Sequence, residues 1–349
     1  MKINKDKKVK ISTVAYSVTL IVIGLFVLMG VIIYGFGINN GLTRKVAQIF
    51  PYPAGVIDGV HFITINNLEK NVQAVKKFYE SQDFSNIGLS VDFTTADGEK
   101  RLKIKEKEVL TKMIENRVIE ILANQKGIRL TKKDAAQEVQ KRMTSDKNQQ
   151  DFADSLQKLY GWNQDDFETR IVKPDLYKEK LAENIRQNEK NSVNAKNKIE
   201  QALTELQAKK DFGEVAKKYS EGESAKNGGE LGWFSADQML PEIALAVYSL
   251  KKGETSEVIE SSLGYHIIQV ENKKTENGND KLQLKQIFAR TTNFADWLLE
   301  QEKNMKIHIP IKGLYWDKNN GRVEFNDNDL KKFEENLNQN SPNDASVLF

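Results

Sequence analysis

From Val14 to Ile38 the chain carries no charge, and this stretch constrains its architecture more than any other. About 25 residues at 1.5 Å rise make a helix of roughly 37 Å, enough to cross a bilayer with some tilt. A transmembrane helix is therefore expected over 14–38. The stretch ends in Tyr34-Gly35-Phe36-Gly37-Ile38-Asn39, with no Ala-x-Ala-like cleavage site, so it reads as a retained anchor and not a cleaved signal peptide. Lys2, Lys5, Lys7, Lys8 and Lys10 precede it, while Arg44 and Lys45 follow. The positive-inside bias makes 1–13 a cytoplasmic basic segment and places everything from Asn39 outside, as a single-pass protein of the cell membrane.

With 349 residues and 39% hydrophobic side chains, the remainder holds enough apolar material for two modest domains. With a net charge of only +3 a general polyanion partner, nucleic acid included, is not expected. Zero cysteines exclude disulfides, thiol catalysis and cysteine-ligated zinc. The three histidines, His61, His266 and His308, are scattered and form no metal-ligand motif. No metal and no cofactor is expected.

Helical periodicity dominates up to about residue 190. Phe50-Pro51-Tyr52-Pro53 is an extended lead-in, because proline lacks an amide donor, and 56–65 reads as a short strand or hairpin. Asn66 or Asn67 is expected to cap a helix with Leu68, Val72, Val75, Phe78 and Tyr79 at helical spacing. A polar stretch from Ser81 to Gly98 follows. Another helix spans Leu102 to Gln125 and stops at Gly127, and Thr131 with Asp134 opens the next. Phe152 to Tyr160 marks a further helix, and Asn163 or Asp165 starts one more. These make 39–190 a helical domain that runs through a polar helical link, 186–198, into the following one.

Residues 194–271 are the most specific part of the chain. A helix with Ala195, Ile199, Leu203 and Leu206 leads to Asp211-Phe212-Gly213-Glu214-Val215-Ala216-Lys217-Lys218-Tyr219-Ser220. Ser224-Ala225-Lys226-Asn227-Gly228-Gly229-Glu230-Leu231-Gly232-Trp233-Phe234 and Gln238-Met239-Leu240-Pro241-Glu242 follow, then Leu250-Lys251-Lys252-Gly253-Glu254 and Gly264-Tyr265-His266-Ile267-Ile268-Gln269-Val270. Gly228-Gly229 is a turn needing positive backbone angles, Leu231 to Phe234 and Ser256 to Ile259 read as short strands, and the last strand begins at Tyr265.

This run resembles the parvulin family of peptidyl-prolyl isomerases over nearly the whole of that domain. Upstream, the Leu110 to Gly127 helix and the Gly161-Trp162-Asn163 step resemble the helical domain of SurA-like chaperones, an arrangement shared by membrane-anchored PrsA- and PpiD-like relatives. The resemblance implies an α+β protein: anchor 14–38, helical chaperone domain 39–190, parvulin-like domain 191–290, a C-terminal helix and hairpin 291–325, and a disordered tail 326–349. It implies unfolded or nascent extracytoplasmic polypeptides as partners. For the site it implies His266 and Gln286 as the catalytic pair and Phe234, Met239 and Ile243 as the proline-binding wall.

The chain departs from that pattern in two places. The loop position that carries Cys or Asp in the family is Gly222, flanked by Glu221 and Glu223. The family's first strand, with its histidine, is missing ahead of Ala195, because Gln187 to Val193 is too polar for a central strand. Leu282 to Ala289 alternates as a strand should, and Lys285-Gln286-Ile287-Phe288 resembles the missing motif with Gln286 in place of histidine. The expectation is a circularly permuted sheet in which 282–289 folds back on the His266 strand. The sequence leaves open whether His266 is catalytic or structural, and whether Trp297, Tyr315 and Trp316 contact clients or pack inward. It favours a chaperone with weak or absent isomerase activity, with an active isomerase or a scaffold for a fixed envelope partner as alternatives.

Overall fold

The computed structural model describes residues 20, 23–36, 41–82, 92–142, 149–276 and 279–340. Residues 14–19, 21–22 and 37–38 of the span expected at 14–38 lie outside the described residues. Its described part is helical over 23–30 and π-helical over Val31–Phe36. Among the described residues no helix is long and apolar enough to cross a membrane. Phe26 stacks on Tyr52 at 4.7 Å, and the Tyr52 hydroxyl donates to the Phe26 carbonyl at 2.7 Å.

The chain divides into two units. Unit 1 comprises Met1–Lys178 and Gln301–Phe349, and unit 2 comprises Glu179–Glu300. Unit 1 begins with α1 (Gly41–Ile49) and the hairpin β1 (Pro53–Ile57) and β2 (His61–Thr64). Asp58 and Gly59 turn the hairpin with φ of 50° and 74°, the mirror-image turn geometry that suits tight hairpins. Helix α2 (Ile65–Ser81) is capped by the Thr64 hydroxyl, which accepts from Asn67 N at 3.2 Å. The expected caps, Asn66 and Asn67, lie inside the helix, because β2 runs directly into it and leaves Thr64 as the last extended residue.

Helix α3 (Ala96–Gln125) starts six residues before the expected Leu102, capped by Thr95, and buries Leu110, Ile114, Val118 and Leu122 along one stripe. Gly127 follows it at φ 80°, as a C-terminal cap requires. In α4 (Lys132–Arg142) the Thr131 amide and hydroxyl both donate to Asp134 at 2.6 Å. Helices α5 (Gln149–Tyr160) and α6 (Gln164–Phe167) follow, the latter with a capping box between Asn163 and Asp166. A π turn, Glu168–Val172, leads to α7 (Lys173–Asn188), within which unit 1 gives way to unit 2.

Unit 2 continues with α8 (Lys190–Gln207), α9 (Phe212–Tyr219), β3 (Glu230–Ser235), α10 (Pro241–Val247), β4 (Ile259–Glu260), β5 (Gly264–Glu276) and β6 (Asn279–Arg290). The expected strand 256–259 is reduced to two residues, preceded by a bridge from Thr255 to Gln269. The antiparallel sheet runs β3-β6-β5-β4. One face, with Tyr265, Ile267, Ile287 and Ala289, packs under α8 and α9. The other, with Ile268, Val270, Leu282 and Leu284, packs with Ile243 and Val247 of α10. The segment 187–193, too polar for a strand, is helical except for a break at Glu189.

Helix α11 (Phe294–Asn304) carries the chain back to unit 1. Here β7 (Ile307–His308) adds to β1, making a three-stranded sheet of order β2-β1-β7. A two-stranded hairpin is marginal alone, and the returning strand completes it. Residues from 301 onward are thus part of unit 1, in place of a separate C-terminal element over 291–325. The expected hairpin is present as β8 (Leu314–Asp317) and β9 (Arg322–Phe325). In place of a disordered tail from 326, Asn328–Asn340 forms α12, held to α3 by Glu334 and Lys107, a long-range ion pair that local composition does not disclose. Residues 341–349 lie outside the described residues.

Candidate active site

The strand alternation of unit 2 decides which side chains meet. In the β5–β6 ladder His266 pairs with Phe288 and Ile268 with Gln286, and in β4 Ile259 pairs with His266. Opposed residues share a face, so His266, Gln286 and Phe288 stand on the α10 side. Phe234 joins them there through its pairing with Leu282.

His266 is only 2% exposed, and its ring stacks on Phe288 at 4.8 Å. The Gln286 carboxamide nitrogen lies 2.5 Å from its Nδ1, and the Ser261 hydroxyl lies 2.7 Å from its Nε2. A carboxamide nitrogen only donates, so Nδ1 accepts and the proton resides on Nε2, directed at Ser261. The Ser261 oxygen also accepts from Leu263 N at 3.1 Å and donates to the Gly264 carbonyl at 3.3 Å. Burial pushes the His266 pKa down to about 4, against the opposing Glu242 carboxylate. The imidazole is neutral at physiological pH, and neither ring nitrogen is free for a ligand.

Gln286 is half-buried, so of the pair it is the more accessible polar group. Phe234 and Met239 are half-buried and Ile243 is nearly buried, all three in the apolar cluster beside β5 and β6. The structure thus joins His266 to Gln286 directly and sets Phe234, Met239 and Ile243 on the same face of the sheet. Ser261 and Phe288 are further members that sequence reasoning missed. Their roles follow from the turn before β5 and from the ladder register, neither of which local sequence displays.

Gly222 sits beside this site. A Cβ there would lie 3.7 Å from Ser220 Oγ and 3.9 Å from Phe288 Cβ, in ordinary contact, and its φ of −74° suits any residue. Glu221 is directed away: its carboxylate accepts from Lys198 Nζ and from Arg290 N, both at 2.8 Å. Burial raises its pKa, but these hydrogen bonds outweigh burial and leave it lowered.

Residues 178–272 match the model of the rotamase family, described as a PPIC-type PPIASE domain. The chain carries a parvulin module. The match stops short of β6, the strand that brings Gln286 to His266. Chaperone SurA of Burkholderia orbicola is 31% identical over 131 residues, which is 36% of this chain and 29% of that protein. The foldase protein PrsA of Geobacillus kaustophilus is 36% identical over 115 residues, 32% of this chain and 41% of its own. The chain thus spans less than half the length of either relative. A solved peptidylprolyl isomerase structure, PrsA from Bacillus cereus, aligns over 84% of this chain and 94% of its own, at 18% identity and a TM-score of 0.22.

Unit 1 holds a second candidate site, a cavity of about 1020 Å³. Tyr160, Trp162, Leu68, Leu314, Phe325 and Leu330 are among its lining residues. Tyr160 stacks on both Phe78 and Trp162 at 5.3 Å, since Gly161 at φ 71° folds the chain back between them. Tyr315 is exposed, whereas Trp297 and Trp316 are half-buried.

Proposed function

We propose that this protein is a membrane-anchored, extracytoplasmic chaperone that binds unfolded polypeptides and has weak or absent prolyl isomerase activity. The observation that carries this reading is the engagement of both His266 ring nitrogens inside a buried, neutral network. Prolyl isomerisation needs no nucleophile, only an apolar seat for proline and polar groups that favour the twisted amide. Phe234, Met239 and Ile243 provide the seat, and Gln286, positioned by His266, is the polar group that remains. With glycine at 222, a second polar group opposite it is lacking.

The cavity of unit 1, with its aromatic lining, is where extended apolar segments would be held. Similarity to proteins named chaperone SurA and foldase PrsA supports this assignment. The uncharged stretch 14–38 and the lysines before it support an anchored, outward-facing topology. In its described part Ile23, Leu25, Val27 and Leu28 are exposed apolar residues, suited to lipid contact.

The deciding experiment couples isomerisation of a proline peptide to proteolysis, using a fragment from residue 39 onward and its Gln286→His/Gly222→Asp double variant. Little turnover by the parent, a gain in the folded variant and suppression of aggregation of an unfolding test protein by both are expected. Rapid turnover by the parent supports instead an active isomerase in which Gln286 replaces histidine. No effect on aggregation favours a scaffold for a fixed partner. Added protease should digest the bulk of the chain in intact spheroplasts, and full protection would refute the topology.

A further inference from the structure

Helix α12 is attached to unit 1 in an unusual way. None of the residues 328–337 is buried, in contrast to Val323 and Phe325 just before it. Its aromatic residue, Phe333, lies under the Lys100 ammonium at 4.9 Å, and Lys331 lies over the Tyr315 ring at 5.5 Å. Its strongest tie is ionic. Glu334 grips Lys107 Nζ with both carboxylate oxygens, at 2.7 and 2.6 Å.

Lys107 itself is only 5% exposed, and removing the sole partner of a buried charge is normally prohibitive. Here a second carboxylate stands by. Glu324 Oε2 lies 3.6 Å from the same ammonium, while its Oε1 is held by Arg322 at 2.6 Å. The ammonium also lies 5.1 Å from the Phe325 ring centroid. Release of Glu334 therefore leaves Lys107 paired, on a strand that stays with the core. An element with no buried residue over 328–337 and a replaceable ionic tie belongs to the low-stability end of a fold.

The location gives this a consequence. Leu330 of α12 and Asp327 just before it line the cavity of unit 1. We infer that α12 is a reversible strap across that cavity, latched by Lys107 to Glu334 and released by transfer of Lys107 to Glu324. The strap rests on the reading of the cavity as the seat for unfolded segments: docked, α12 narrows the seat, and released, it opens it.

The two carboxylates give tests of opposite sign. In Glu334→Gln the latch is weakened and the fall-back kept, so amide hydrogen exchange over 328–340 should quicken about tenfold, the order expected from one charged hydrogen bond. Exchange in α3 should not change, which reports that the unit stays folded. Less protein should then suffice to suppress aggregation of an unfolding test protein. In Glu324→Gln the fall-back is lost, so exchange over 328–340 should slow and more protein should be needed. Shifts of the same sign in both variants, or unchanged exchange in Glu334→Gln, would overturn the strap. Faster exchange without a gain in potency would equally show that α12 does not guard the seat. If the parent chain fails to suppress aggregation at all, the chaperone reading falls, while the exchange pair still decides whether the latch exists.

Discussion

Gln286 donates to His266 across 2.5 Å, although the ladder pairs Gln286 with Ile268 and His266 with Phe288. The bond is diagonal, between one strand position and the position two residues along its partner, within reach of a long side chain. It settles the tautomer of His266 and with it the direction of every hydrogen bond through Ser261.

Loss of that donor leaves buried Nδ1 unsatisfied, so Gln286→Ala should destabilise unit 2 by about 1–3 kcal/mol. Urea unfolding at pH 7.5 measures this. The same unfolding midpoint as the parent would mean that Nδ1 gains nothing from Gln286.

The turn at Gly228-Gly229 holds β6 in place from the other side. Gln286 N donates to the Gly229 carbonyl at 2.8 Å, and a Cβ on Gly229 would lie 2.5 Å from the Gln286 carbonyl oxygen at a φ of 84°. Gly229→Ala should therefore cost more than about 2 kcal/mol and displace Gln286. Gly222→Asp meets nothing closer than 3.7 Å at an ordinary φ, so its effect should stay within about 0.5 kcal/mol. Thermal melts of the two variants, run together, test the contrast.

Because β6 lies between β3 and β5, its removal strips hydrogen-bond partners from both. A fragment of residues 179–278 should lack cooperative unfolding, whereas 179–300 should show it. Equal cooperativity by circular dichroism would mean that β6 is dispensable to the sheet.

The two units should respond to pH in opposite directions. His266, lowered to about 4 by burial, must stay neutral in the folded state, so unit 2 should lose stability as pH falls from about 6.5 to 4. Glu302 of unit 1 is raised to about 7 by burial, with a further contribution from Glu115, and one of its carboxylate oxygens has no hydrogen-bond partner. A raised acid favours the folded state only while protonated, so unit 1 should lose stability as pH rises from about 4.5 to 7. Each effect is bounded at about 3 kcal/mol. Hydrogen exchange of β5 and of α3 at pH 5 and 7.5 resolves the two, and Glu302→Gln should flatten the second.

Local patterns carried much of this protein. The caps at Thr131 and Asn163, the stop at Gly127 and the C-terminal hairpin were legible because each depends on a few adjacent residues and on backbone angles that those residues favour. The pairing of 282–289 with β5 was legible as well, since the strand alternation of that segment appears in the sequence. What the tertiary structure alone decided are pairings between distant positions. The join of β7 to β1, the docking of α12 through Lys107 and Glu334, and the closing of the His266 network by Ser261 depend on register and burial across the fold. A half-polar segment such as 326–340 has no periodic signal strong enough to declare itself structured. It gains its order from a buried lysine more than two hundred residues away, and only the folded chain brings that charge within reach.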